Sequence, residues 1–190
     1  MSTYEPKAIF TAIKMDSADF LSDVMKANPD VNIIGPNGLS PLMMAISMHA
    51  SNSCTNAMVK ILLENKADVN MQIQGFTPLM LATQEGLLDI AAMLIEHGAD
   101  INAKNNDHGL TALMIAARDG HIAIIELLIS KGVDISAQTK MGSTALMMAQ
   151  QAQQKQAEAL LKNQRPMNEI PPEILSKFIV LKHDKDGKLL

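Results

Sequence analysis

Gly75-Phe-Thr-Pro-Leu-Met-Leu-Ala82 is one of four versions of a single phrase in this chain. It returns as Gly109-Leu-Thr-Ala-Leu-Met-Ile-Ala116 and as Gly142-Ser-Thr-Ala-Leu-Met-Met-Ala149, and an earlier version runs Gly38-Leu-Ser-Pro-Leu-Met-Met-Ala45. The leading glycines stand 37, 34 and 33 residues apart. A second phrase follows the first: Ile61-Leu-Leu-Glu-Asn-Lys-Ala-Asp-Val-Asn70, then Met93-Leu-Ile-Glu-His-Gly-Ala-Asp-Ile-Asn102, then Leu127-Leu-Ile-Ser-Lys-Gly-Val-Asp-Ile-Ser136. Self-similarity at such a period means a stack of like units, each burying its apolar face on its neighbours.

The residue types explain the unit. Thr77 and Thr111 suit the N-cap of a first helix, where a side-chain oxygen accepts from an otherwise orphaned N–H. Pro78 and Pro41 follow at the first helical position, where the missing donor costs nothing. Leu79 and Ala82, three apart, share a face, and the small Ala lets two helices approach. Gly86 and Gly120 end this helix, with His121 expected to fix the turn. A second helix then shows Ile90, Met93 and Leu94, repeated as Ile124, Leu127 and Leu128, the spacing of a buried stripe. Full burial of each such side chain is worth about 1.5–3 kcal/mol. Gly98 and Gly132 suit the left-handed residue that ends a helix. Lys66 occupies the same place in the preceding unit, which predicts strain there.

Together these phrases resemble the ankyrin repeat, with its glycine turn, its Thr-Pro-Leu opening, Gly-His between helices and a closing Gly-Ala-Asp. The likeness covers roughly residues 5–163. It implies an all-α solenoid of stacked helix-turn-helix units with β-turn fingers. The expected array occupies residues 1–163, with repeats at 5–37, 38–74, 75–108, 109–141 and 142–163, and a tail at 164–190. The opening repeat presents Phe10, Ile13, Phe20, Leu21 and Val24 inward and leaves through Asp30-Val-Asn32. The last has a Gln-rich second helix (Gln151, Gln153, Gln154, Gln156) with Ala157, Leu160 and Leu161 as its apolar side, as a closing cap should. Where the family has His after Thr-Pro-Leu, this chain has Met43, Met80, Met114 and Met147, expected in the core as adaptable thioether packing. Met44 and Met148 come next, at a position that in the family faces the groove.

Composition agrees with thin helices packed closely. Of the 190 residues 47% are hydrophobic, yet there is no Trp, one Tyr and four Phe, against 15 Met. Sixteen Lys and Arg against 20 Asp and Glu give a net charge of −4, which disfavours nucleic acid as a partner. A single cysteine, Cys54, excludes an internal disulfide and a cysteine-rich zinc site. The opening MSTYEPKAIF lacks a basic stretch followed by an apolar run, so no secretory signal is expected. Apolar runs such as Ile122–Ile129, broken by Glu126, fall well short of the ~18–20 residues that span a bilayer. The expectation is a soluble intracellular protein without membrane insertion.

Chemistry of other kinds finds little footing. His49, His97, His108, His121 and His183 lack metal-ligand spacing, so neither a metal nor a cofactor is expected. Asp184-Lys-Asp186-Gly187 is similar to the start of a calcium loop but has no closing glutamate. Neither a phosphate-binding glycine loop nor a Ser/His/Asp set with local context is present, and the chain is not expected to be an enzyme. Asp100 and Asp134 recur at equivalent turns and are expected to stabilise them.

The resemblance implies a module that holds another protein in its concave groove. The family's recognition positions fall here on the turn tips Pro36, Asn37 and Leu39; Ile73, Gln74 and Phe76; Asp107, His108 and Leu110; and Lys140, Met141 and Ser143. On the first helices they fall on Gln84, Glu85, Arg118 and Asp119. Ile73, Phe76, Leu110 and Met141 are expected to be exposed apolar groups one repeat apart, a row suited to a partner. Phe76, their only aromatic, is the expected hot spot, so Phe76→Ala should weaken capture and spare stability.

Two segments stand outside the pattern. An insert near Met48–Asn56, carrying His49 and Cys54, fits either a contact loop or a tolerated surface insertion. Beyond Asn163, the string Ile170-Pro-Pro-Glu-Ile-Leu175 resembles the opening of an F-box, whose family recruits the Skp1 adaptor of ubiquitin ligases. The residues that remain are about half of such a box. They equally fit an added helix on the last repeat, with Ile174, Leu175, Phe178 and Leu181 on one face. Abundant Met, Asn, Lys and Ile also suggest a bacterial origin and an effector directed at host proteins.

Overall fold

The computed structural model describes residues 7–48 and 54–163. Each repeated phrase opens a short helix in the way its chemistry requires. Ser40, Thr77, Thr111 and Thr144 lie in extended backbone, and their hydroxyls accept from the N–H groups of Met43, Met80, Met114 and Met147 at 3.2–3.3 Å. Pro41 and Pro78 take the first helical position behind these caps.

Ten helices follow in order among the described residues: α1 Ala8–Lys14, α2 Ala18–Met25, α3 Pro41–Ser47, α4 Thr55–Glu64, α5 Pro78–Gln84, α6 Leu88–Glu96, α7 Ala112–Asp119, α8 Ile122–Ser130, α9 Ala145–Gln151 and α10 Lys155–Asn163. They pair as hairpins, odd helix against the following even one. The odd helices stack into one rank and the even helices into a second. The core is the sheet-like gap within and between hairpins. Ala12, Ala45, Ala82, Ala116 and Ala149, one from each odd helix, are completely buried there. A methyl group at this position is what allows short helices to lie in contact. The thin core is completed by Ile13, Leu42, Met58, Leu62, Leu79, Ile90, Leu94, Ile124 and Leu128.

Neighbouring hairpins are fastened by polar groups at two levels. At the hairpin turns, Gly86 and Gly120 have φ of +70° and +77°. A Cβ on Gly86 would stand 2.8 Å from His121 Cε1, and one on Gly120 would collide with the Gln154 side chain. His121 also reaches the Gln84 carbonyl oxygen at 3.3 Å, so its ring fastens the turn of the preceding hairpin. At the exits of the even helices an asparagine ladder runs along the array. The side-chain oxygens of Asn32, Asn70 and Asn102 accept from the N–H groups of Asp68, Asp100 and Asp134 at 2.7–2.8 Å. Those aspartates in turn accept from the backbone two residues on, at 2.9 Å. The Asp100 and Asp134 carboxylates therefore serve the turns, as expected from their spacing. Lys66 does adopt the left-handed backbone, with φ of +66° where Gly98 has +90° and Gly132 +81°. For a residue with a Cβ this costs about 1–2 kcal/mol.

Three methionines of the recurrent position, Met43, Met80 and Met114, are buried in the core. Met147 is not: it is 54% exposed, because α9 packs on α7 and α10 and has no following hairpin among the described residues. Met44, expected toward the groove, is also buried, inside the first three hairpins. Leu160 is half-buried while Ala157 and Leu161 form the buried side of α10.

Candidate functional site

The loops between hairpins form a row of tight fingers, each closed by backbone bonds. Gly35 N–H donates to the Leu39 carbonyl at 2.9 Å, Asn105 N–H to Leu110 at 2.8 Å and Thr139 N–H to Ser143 at 2.9 Å, while Ile73 and Phe76 exchange both bonds at 3.0 Å. Side-chain oxygens brace three of them from within. Asn37 Oδ1 accepts from Leu39 N–H, Asn105 Oδ1 from His108 and Leu110, and Thr139 Oγ1 from Met141 and Ser143. Such local bonds compete with regular structure and hold a loop in one shape. The last two fingers are also tied together: Lys140 N–H donates to the His108 carbonyl at 2.9 Å, and Lys140 Nζ to the Asn106 carbonyl at 2.5 Å.

Between these two fingers and the odd-helix rank lies a depression of about 370 Å³, lined by His108, Leu110, Arg118, Thr139, Lys140, Met141, Ser143, Met148 and Gln151. The fingers supply His108, Leu110 and the stretch from Thr139 to Ser143, α7 supplies Arg118, and α9 supplies Met148 and Gln151. Arg118 is held by its neighbour: Nε and Nη2 donate to the two Asp119 carboxylate oxygens at 2.7 and 2.9 Å. That hydrogen bond raises the guanidinium pKa further above its ordinary value, despite partial burial. The arrangement offers cationic groups, short apolar walls and hydroxyls on a braced frame. It is suited to holding a chain segment by contact.

Six of the expected recognition residues, His108, Leu110, Arg118, Lys140, Met141 and Ser143, thus meet around one depression, with Asp119 behind Arg118. Pro36, Asn37, Gln74, Gln84, Glu85 and Asp107 are exposed but lie outside it, and Leu39 is half-buried. Asp107 leans on the preceding finger, its Oδ2 3.1 Å from where a Cβ of Gly75 would stand. The expected row of exposed apolar groups is corrected: Met141 is 92% exposed, but Ile73, Phe76 and Leu110 are half-buried. The reason is finger geometry. Phe76 and Leu110 directly precede the capping Thr77 and Thr111, and closing the finger brings both side chains onto the core. Phe76→Ala is therefore expected to cost stability as well.

Two lining residues, Thr139 and Gln151, escaped the sequence reading. Gln151 is seven residues after the capping Thr144, as Gln84 and Arg118 are after Thr77 and Thr111, so repeat register carried the signal. Ile34, in the first finger, was missed too and is 56% exposed. Met148, from the groove position, does line the depression.

Other candidate features lie elsewhere. Cys54 is half-buried at the start of α4, and its N–H donates to Asp16 Oδ1 at 3.0 Å, linking the second hairpin to the first. His49 and the rest of residues 49–53 lie outside the described residues, as do residues 164–190 with the F-box-like string and His183. Among the described residues no group of three or more His, Cys, Asp or Glu is disposed to hold a metal ion. No helix among them is long and apolar enough to cross a membrane.

Comparison with known proteins agrees with this architecture. A family model for ankyrin repeats (3 copies) matches residues 9–105 and 103–169. The rat ankyrin repeat and SAM domain-containing protein 6 is 42% identical over 102 residues, 51% of this chain and 11% of that protein. The mouse protein phosphatase 1 regulatory subunit 27 is 37% identical over 78 residues, 40% of this chain and 47% of that protein. Delta-latroinsectotoxin-Lt1a of Latrodectus tredecimguttatus is 33% identical over 95 residues, 49% of this chain and 8% of the toxin. The chain spans less than half the length of each of these relatives.

Proposed function

The chain belongs to the ankyrin repeat family, a family of protein-interaction modules, and from that premise we propose that it binds a partner protein along the groove between its fingers and its odd helices. The observation that carries this reading is the convergence of His108, Leu110, Arg118, Lys140, Met141 and Ser143 on one depression. Positions carried over from the family resemblance line a common surface, on fingers whose internal bonds lower the entropy cost of binding. Met141 is the best-placed contact, because its side chain is almost wholly exposed beside that depression. A binding role without catalysis fits the relatives, one of which is by name a regulatory subunit.

The test is affinity capture from a eukaryotic lysate with the wild type and Met141→Asp side by side. The expected result is a protein retained by the wild type and lost by the variant, with equal melting temperatures. Retention by both, or by neither, counts against the groove. The division into an array over 1–163 and a tail over 164–190 belongs to the same proposal, and limited proteolysis cutting first after residue 163 would support it. A second reading, an adaptor of a ubiquitin ligase, rests on Ile170–Leu175. Retention of Skp1 by the full-length chain tests it. The bacterial effector reading rests on composition alone.

A further inference from the structure

We infer that the depression between the last two fingers takes an acidic peptide, one carboxylate side chain lying among His108, Arg118 and Lys140 with an adjacent apolar side chain against Leu110, Met141 and Met148. This rests on the reading of the groove as the binding surface and names the partner's chemistry.

Charge is the first support. The chain as a whole is negative, at −4, yet the lining of this depression holds His108, Arg118 and Lys140 and no carboxylate. Asp119 is the nearest anion by contact, and it is committed edge-on to Arg118. That contact uses Nε and Nη2, so Nη1 keeps both its hydrogens for a ligand, in a plane fixed by the pair. Lys140 likewise uses one of its ammonium hydrogens on the Asn106 carbonyl and holds its charge at the mouth with donors to spare. The equivalent stretch of the preceding unit differs. Its first helix offers Gln84 and Glu85, and its finger Ile73, Gln74 and Phe76, with no cation. Among the expected recognition positions, lysine and arginine therefore occur only here, as Arg118 and Lys140.

The apolar part is the second support. Leu110 and Met148 form walls of the depression, and Met141 stands at 92% exposure above them. Unbranched thioethers adapt to a side chain of any shape, so the site asks for an apolar residue without dictating which. Opposed charges with an apolar contact between them fix both register and orientation of an extended segment.

The experiment titrates the full-length chain with three short end-blocked fluorescent peptides that share a central leucine and differ only in its flanking residues, glutamate, glutamine or lysine. Anisotropy is read at low and at physiological salt. The glutamate peptide should bind about tenfold more tightly than the glutamine peptide, weaken several-fold as salt rises, and leave the lysine peptide behind. Lys140→Glu should reduce affinity for the glutamate peptide by about tenfold or more, and Lys140→Gln by less, both with little change in melting temperature, because the exposed Nζ bond to Asn106 is lost but the backbone bond to His108 is kept. Equal affinity for the glutamate and glutamine peptides, binding by none of them, or a Lys140→Glu chain that binds as the wild type does overturns the inference. If the groove reading holds but this one fails, lysate capture remains sensitive to Met141→Asp and indifferent to Lys140→Glu.

Discussion

The hairpins α7/α8 and α9/α10 carry the same opening phrase, and their first helices meet different fates. In both, the threonine hydroxyl caps the third residue on at 3.3 Å, and Ala116 and Ala149 are completely buried. Yet Met114 is 1% exposed and Met147 54%. Leu113 and Ile115 are likewise buried where Leu146 and Met148 are half-buried. The helix is the same; α7 has α5 on one side and α9 on the other, while α9 has α7 and its own partner α10. A local phrase thus determines a helix and its direction, and a neighbour determines how much each side chain contributes.

The largest expected effect probes this directly. Met114→Ala should cost about 2–5 kcal/mol by urea or thermal unfolding, the range for a buried side chain truncated in a close-packed core, while Met147→Ala should stay within about 0.5 kcal/mol. Similar losses at both sites would mean that α9 is covered in solution. Next in size, Gly86→Ala should cost about 2–3 kcal/mol and Gly132→Ala about 1 kcal/mol. Both residues have positive φ, but only Gly86 lies under His121 of the next hairpin, and Gly132 has nothing within 4 Å of an added Cβ. Equal costs would show that the inter-hairpin contact is slack.

A third comparison gives a gain. Thr83 of α5 is completely buried and its hydroxyl has no hydrogen-bond partner among the described residues, whereas Ala117 fills the equivalent place in α7. Replacing a buried unpaired hydroxyl by a methyl group removes a desolvation cost, so Thr83→Val should raise stability by about 1 kcal/mol. A lower melting temperature would mean that the hydroxyl is bonded after all. The smallest effect concerns the end hairpin. Lys162 bonds Glu158 at 2.6 Å and Gln150 adds a second bond, which together hold this carboxyl below the usual carboxylate range. A depressed folded-state pKa means that the contribution is present above the unfolded-state value and is lost as pH falls through the folded one. Glu158→Gln should therefore lower the melting temperature slightly at neutral pH, and the difference should vanish in acid. A difference that persists in acid would point to packing by the side chain.

Much of the fold was legible because repetition turns weak local signals into strong ones. A threonine before an apolar run is a modest hint of a cap; at four equivalent places it becomes a register, and Ser40, Thr77, Thr111 and Thr144 all cap. The resemblance to the family marked seven of the nine residues around the depression, Met148 among them, and Gln151 stands at the same place in its repeat as Gln84 and Arg118. Burial was less legible. Phe76 and Leu110 read as exposed tips, but closing the finger turns them inward, and Met44 lies in the core where register put it toward the groove.

The sequence by itself determined the unit: where helices start, which residues can cap or turn, and which face is apolar. Those are properties of a few adjacent residues, governed by backbone sterics and local hydrogen bonds. Only the tertiary structure decided which apolar positions are covered, which fingers are tied by Lys140, and that His108, Arg118 and Lys140 share one opening. Such outcomes depend on contacts across a whole repeat, where the same methionine is core beside one more hairpin and surface without it.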